Sequence, residues 1–279
     1  MNPRVALVQM VSSQSLEPSL QRAEILIREA VAGNPEAIFL PENFAALGSN
    51  DPQAIGLQEQ FGNGPVRSFL AEMARWSGCW IFGGTVPVGH RPDGSLVPDG
   101  RVRAASLVYN PSGEEVSRYD KIHMFDVDVE DNHKSYRESS TFEAGSDIVF
   151  VDCPLGRIGL TVCYDLRFPE LYRKLFASGV DMFTVPSAFT TITGDAHFKL
   201  LLRARAVENS CFCIAACQGG QHDSGRRTYG HSMVISPWGD VLGELGEGEG
   251  VLAVELDLEL QAQLRKDMPF IDQRQIRGD

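Results

Sequence analysis

Positive charge is the scarce commodity in this chain. Lysine and arginine total 25 against 37 aspartates and glutamates over 279 residues, a formal charge of −12. A surface that acidic repels phosphate backbones and anionic lipid, which argues against nucleic-acid and membrane partners. Long apolar runs are missing too, and no stretch approaches the roughly 20 residues of a membrane span. The opening MNPRVALVQM lacks the basic segment and apolar run of a secretory signal. Cysteines are few and unevenly placed (Cys79, Cys153, Cys163, Cys211, Cys213, Cys217), in a chain too long to need disulfide staples. A cytoplasmic protein with reduced thiols is expected. There is no linker, low-complexity run or internal repeat. No Gly-x-Ser-x-Gly follows a strand, and neither Gly83-Gly84 nor the glycines of 246–250 form a phosphate loop.

What remains is a 43% hydrophobic chain, enough for one large core, since single α/β domains run to about 250 residues. Short apolar runs alternate with helical patterns. Val5–Gln9 reads as a buried strand; Pro18 to Ala32 carries Leu20, Ala23, Ile27, Ala30 and Val31 at helical spacing. Strands at Ala37–Leu40 and Trp80–Phe82 flank a helix around Val66–Trp76. Hairpins are expected around Asn110-Pro111-Ser112-Gly113 and Pro237-Trp238-Gly239. A polar stretch of roughly two dozen residues after Lys121 has no periodicity, and loops that long are usually functional. Strand–helix alternation resumes at Ile158–Val162 and runs through Met182–Val185, a helix over His197–Glu208 and Phe212–Ala216. Val251–Leu256 ends the pattern. The fold class is α/β, one layered domain over 1–279, with a core of about 4–257 and a polar tail at 258–279. Whether it holds one sheet or two, the pattern leaves open.

Three residues stand out chemically. Arg157–Cys163 reads as a strand ending on a thiol, followed by a polar turn and by Pro169 at the start of a helix. A cysteine there is expected to be exposed above the sheet, near backbone N–H groups that lower a thiol pKa and hold an oxyanion. Base rates favour a buried structural cysteine; the arginine-containing turn favours a nucleophile. Glu42, in Phe39-Leu-Pro-Glu-Asn-Phe44, lies one residue past a buried strand, at the sheet end where ligands bind, and apolar neighbours suit it as a general base. The alternative is a solvated loop glutamate. Lys121, in Tyr119-Asp-Lys-Ile-His-Met124, opens the long loop and could supply the cation an acyl-transfer oxyanion needs; otherwise it is a surface charge. Glu138 is a candidate to orient that lysine or the substrate. Cys211, Cys213 and Cys217 with His222 and His231 lack zinc-ligand spacing, so no metal site is expected.

Leu-Pro-Glu42-Asn, Tyr-Asp-Lys121-Ile-His and Val-Cys163-Tyr-Asp-Leu-Arg-Phe-Pro-Glu, in that order, resemble the nitrilase or carbon–nitrogen hydrolase superfamily, over nearly the whole length. The resemblance implies an α-β-β-α sandwich, two central mixed sheets flanked by helices, usually paired with a second subunit. It also implies a Glu42–Lys121–Cys163 triad with Glu138 as second glutamate, and no cofactor. The segments Pro186–Phe198, Leu201–Asn209, Tyr229-Gly-His-Ser and Pro237-Trp-Gly resemble the branch of deaminated glutathione amidases. The ω-amidases acting on 2-oxoglutaramate lie close by, and nitrile or N-carbamoyl hydrolases further off. Phe198 stands where that branch is expected to carry tryptophan.

Such an enzyme would attack a small amide with the Cys163 thiolate, use Lys121 and the Tyr164 backbone N–H as oxyanion donors, and pass through a thioester. Anionic substrates need local cations. Arg167 is the first candidate for a substrate carboxylate, against a structural ion pair with Asp165 or Glu170. Thr193 and Arg227, in glycine-flanked or polar loop segments, are further candidates.

Overall fold

The computed structural model describes residues 2–59, 63–129 and 135–276. Two sheets account for most of its strands. In the first, Gly250–Glu255, Arg4–Gln9, Ala37–Phe39, Trp80–Phe82, Arg103–Tyr109 and Val86–Val88 follow in order, with Glu115–Asp120 also paired to Arg103–Tyr109. Arg4–Gln9, Ala37–Phe39 and Trp80–Phe82 are parallel and the rest antiparallel. In the second, the order is Val241–Glu244, Met233–Ile235, Phe212–Ala215, Met182–Thr184, Gly156–Leu160 and Phe150–Cys153, with the middle three parallel.

Alternation of side chains along each strand decides the layering. Val5, Leu7, Phe39, Phe82 and Val108 face the second sheet and share one buried cluster with Ile158, Leu160, Phe183 and Ile214. Phe39 and Phe82 stack there with centroids 4.4 Å apart. The intervening residues Ala6, Val8, Ile38, Ile81 and Leu107 face outward, onto Ala23, Leu26, Ile27 and Ala30 of helix Leu16–Val31 and Val66, Leu70 and Met73 of helix Pro65–Ser77. Pro65 starts the second of these helices, and Gly78, at φ 67°, closes it in the left-handed region that glycine tolerates. Helices Pro169–Ala177 and Lys199–Asn209 cover the second sheet through Leu171, Leu175, Leu202 and Ala206. The result is the α-β-β-α sandwich.

One expectation changes. The stretch after Lys121 is not wholly irregular: Asp126–Asp128 pairs antiparallel with Ser135–Arg137 and leads into a 3₁₀ turn, Glu138–Ser140. The polar tail opens with a helix. Asp257 caps helix Leu258–Asp267 by accepting from Leu260 N–H at 2.8 Å. That helix is fastened by Arg265, which reaches Asp181, the Val180 and Ser210 carbonyls and the Cys211 sulphur.

Candidate active site

The carboxyl ends of parallel strands in both sheets converge on one cavity of about 320 Å³. Ala37–Phe39 ends in Leu40 and Pro41, and the chain then turns through Glu42 and Asn43. Asn43 takes φ 54°, a left-handed value asparagine accepts more readily than most residues, and its N–H donates to Thr85 Oγ1 at 2.8 Å. Glu115–Asp120 delivers Lys121 one residue past its end. Gly156–Leu160 runs on to Cys163, whose φ of 46° is a strained value for a side chain of this kind. That turn is held by Cys163 N–H to the Pro186 carbonyl at 2.9 Å and by Val162 N–H to Asp165 Oδ2 at 2.9 Å.

These ends bring Glu42, Lys121, Cys163 and Glu138 together. Lys121 Nζ donates to Glu42 Oε1 at 2.8 Å and to both Glu138 oxygens at 2.8 and 2.9 Å. Glu138 is fixed in turn by the Phe125 N–H at 2.6 Å. Glu42 and Ala188 line the cavity with Cys163, and Glu42 is near enough for its charge to act on the thiol. Lys121 is 1% exposed, so neither the surface-charge reading of the lysine nor the solvated-loop reading of Glu42 holds.

Burial sets the protonation states. It works to lower the Lys121 pKa, but Glu138 and Glu42 outweigh it and hold the amine well above its usual value. Burial pushes the Glu138 carboxyl up, with Lys121 opposing. Burial and then Glu42 push the Cys163 thiol well above its ordinary range, against Lys121 and the Ala188 N–H. The expectation of an exposed thiol with a lowered pKa is therefore corrected: Cys163 lies buried at the cavity floor. One ammonium already faces two carboxylates there, so a resting thiolate would add uncompensated charge in a dry site.

The remaining candidates separate. Thr193 and Tyr164 line the cavity, and Thr193 is held by the Thr190 hydroxyl at 2.9 Å. Arg167 does not line it. Its guanidinium lies beside Tyr164 and Phe189, 5.7 and 5.8 Å from their ring centres, and 3.3 Å from His197 Nδ1. The ion pair with Asp165 or Glu170 does not form, because Asp165 is taken by Tyr119 and His123. Arg227 points away from the cavity to an exposed pair with Glu247 at 2.8 Å. Among the described residues two arginines line the wall: Arg137, paired with Asp128 at 2.9 Å, and Arg226, the neighbour of Arg227, both of which sequence reasoning passed over as substrate contacts. Thr228 is buried against His222, so residue 226 shares the inner face and 227 the outer. Among the described residues, no group of three His, Cys, Asp or Glu side chains could hold a metal ion.

Comparison with known proteins agrees with this geometry. A carbon–nitrogen hydrolase profile matches residues 4–266. This chain belongs to the carbon–nitrogen hydrolase family. Among its relatives, the deaminated glutathione amidase of Yersinia enterocolitica is 40% identical over 270 residues, covering 97% of this chain and 92% of that protein. Among solved structures, yeast Nit3, a member of branch 10 of the nitrilase superfamily, superposes with a TM-score of 0.86 at 30% identity, covering 99% of this chain and 97% of that one. The NitFhit protein of C. elegans matches with a TM-score of 0.85 at 34% identity. It covers 99% of this chain, which spans only 66% of NitFhit. The fold of this carbon–nitrogen hydrolase is that of the nitrilase superfamily.

Proposed function

We propose that this carbon–nitrogen hydrolase is a cysteine-dependent amidase, with deaminated glutathione as its substrate and 2-oxoglutarate and cysteinylglycine as its products. The observation that carries the chemistry is the buried contact set in which one lysine bridges two glutamates in the cavity that Cys163 also lines. Glu42 takes the Cys163 proton as the sulphur attacks the amide carbon. Lys121 and the Tyr164 N–H hold the tetrahedral oxyanion. Glu42 then hands the proton to the leaving nitrogen, and the acyl half stays on Cys163 as a thioester. Water deprotonated by Glu42 attacks the thioester carbonyl and releases the acid. Glu138 keeps Lys121 charged and aimed. No step needs a cofactor.

The substrate choice is supported by the name of the Yersinia relative, by Arg226 in the cavity wall and by Arg167 behind Tyr164 and Phe189, which line it. Arg167 and Arg226 lack acidic partners among the described residues, which suits a carboxylate-bearing amide. The deciding assay measures ammonia release from 2-oxoglutaramate beside cysteinylglycine release from deaminated glutathione. Turnover of deaminated glutathione, abolished in a folded Cys163→Ala variant, is expected. Turnover of 2-oxoglutaramate alone would make the enzyme an ω-amidase, and nitrile hydrolysis with neither amide would move it elsewhere in the superfamily. Arg167→Lys is expected to raise KM for either anionic amide, and an unchanged KM would remove Arg167 from the pocket.

A homodimer completes this reading. Leu200 and Val207 on helix Lys199–Asn209 and the nearby Trp238 leave large apolar surfaces exposed, and Val207 lies close against Gly239. Light scattering on the eluting protein would show twice the chain mass; a monomer would refute it. The proposed compartment is the cytoplasm. Six free thiols support it, and among the described residues no helix is long and apolar enough to cross a membrane.

A further inference from the structure

Arg226 lines the cavity and has no acidic partner among the described residues, whereas Arg167, also without one, lies outside the lining. Arg167 lies on the side of Tyr164 and Phe189. Arg226 belongs to the hairpin of Gly219–Gln221 and Arg227–Tyr229, and that hairpin is built onto the loop carrying Glu42. Gln218 Nε2, just before it, donates to the Glu42 carbonyl at 3.0 Å. Ser224 at its tip sits so close to Gly48 that a Cβ there would come within 3.0 Å of it. The Glu42 side is where the leaving nitrogen collects its proton.

Arg226 is held in place yet left short of acceptors. Nη2 donates to the Ala188 carbonyl at 2.5 Å, and the Tyr136 ring lies 5.5 Å from the guanidinium carbon. Nε is buried with no acceptor among the described residues. A buried donor without a partner is costly unless a ligand completes it. Arg227, one residue on, already has Glu247. Ala188 links the two groups, because it lines the cavity with Cys163 while its carbonyl holds Arg226. A dipeptide leaving group spans about 7 Å when extended, a length that suits a cavity of this size.

We propose that Arg226 anchors a carboxylate on the leaving half of the substrate, which for deaminated glutathione is the glycyl carboxylate. This rests on the amidase reading above. A substrate with a carboxylate on its leaving half meets a cation there. Arg226 is then the residue by which the enzyme distinguishes a dipeptide leaving group from ammonia.

The test uses three substrates: deaminated glutathione, its analogue with a glycinamide end, and 2-oxoglutaramate. The wild type is expected to show a KM about 10- to 100-fold lower for the acid than for the glycinamide. Arg226→Gln should erase that preference by raising KM for the acid alone, with kcat little changed, and Arg226→Lys should restore part of it. 2-Oxoglutaramate, whose leaving group is ammonia, should be affected far less and reports whether the variant is folded. Equal losses on all three substrates, or a wild type indifferent to the free carboxylate, would overturn the assignment. A wild type that turns over none of the three would overturn the amidase reading itself, and the anchor with it.

Discussion

The carboxylate of Asp165 binds the ring of His123, Oδ1 to Nδ1, at 2.7 Å. Asp165 is two residues past Cys163, the proposed nucleophile, and His123 two past Lys121. The same carboxylate accepts from Tyr119, two residues before that lysine, at 2.7 Å, from the His123 N–H at 3.1 Å and from the Val162 N–H at 2.9 Å. Side chains two apart on an extended segment share a face, so Tyr119 and His123 bracket Lys121 and clip its strand end to the cysteine turn. The His123 ring also stacks on Phe168 with centroids 3.6 Å apart.

Asp165→Asn should therefore damage catalysis without touching substrate. The amide turns an NH₂ towards a site that receives only donors, leaving at least one buried donor unpaired at about 1–3 kcal/mol each. The expected result is a melting temperature lowered by several degrees and a kcat reduced about 10- to 100-fold with KM little moved. Tyr119→Phe, which removes one bond, should show a smaller version of both. Wild-type kcat in Asp165→Asn would mean the clip is not needed.

Removing the bridging cation tests the electrostatics. Lys121→Met leaves Glu42 and Glu138 facing each other in a buried site, and breaking a buried charge pair costs about 3–5 kcal/mol. Losing an oxyanion donor should lower kcat by at least about a hundredfold. The pH dependence has a definite sign. Burial already raises the Glu138 pKa, and without Lys121 it rises further above its unfolded value. Such a group favours folding below its unfolded pKa and loses that contribution as pH rises through the folded one. Denaturant unfolding should then find the deficit of Lys121→Met against wild type smaller near pH 5 than near pH 8; a deficit that grows on acidification would contradict the bridge.

Gly84 supports Glu42 from behind. Its φ is 49°, and a Cβ there would fall 1.9 Å from the Pro41 carbonyl oxygen, the group immediately before Glu42. Gly84→Ala should displace that turn and depress kcat together with stability. Gly78 is the control, with φ 67° and nothing within 4 Å of a Cβ. Gly78→Ala should cost about 1–2 kcal/mol of backbone strain and leave kcat intact. Equal kinetic effects from the two would show that Gly84 has no special relation to the site.

Sequence reached the centre of this site better than its surroundings, for physical reasons. Cys163 and Glu42 each follow a buried strand whose apolar run is plain, and Lys121 follows a hairpin strand fixed by Asn110–Gly113. What was illegible lacks such periodicity. The pair Asp126–Asp128 and Ser135–Arg137 is three residues a side and largely polar, too short for alternation to register. Helix Leu258–Asp267 buries only Gln261 and is held by polar contacts, so it carries no apolar stripe. Arg226 was hidden because Arg226-Arg227-Thr228 offers no apolar residue to say which face is inward. Asp165 enters the sequence reading only as one of two alternative ion-pair partners for Arg167, whereas its partners come from 42 and 46 residues away.

His222 gives the hairpin that carries Arg226 its own pH limit. Its Nδ1 donates to the Ser12 carbonyl at 2.9 Å, and its Nε2 faces the Thr228 hydroxyl at 2.8 Å. A carbonyl can only accept, so Nδ1 carries a proton, and in the neutral ring Nε2 accepts from the Thr228 hydroxyl. Burial lowers the His222 pKa, with the Ser12 contact opposing. The folded pKa is thus below the unfolded value of about 6.5. The contribution of this ring to stability is fully present above that value and is lost as pH falls through the folded pKa. Between pH 7.5 and 5, the melting temperature of wild type should fall more steeply than that of His222→Gln, whose amide does not titrate. Parallel pH profiles for the two proteins would show that the ring is not held neutral by the fold. Because Ser12 and Thr228 tie the N-terminal segment to the hairpin, KM for an amide whose leaving group carries a carboxylate should rise in His222→Gln as well.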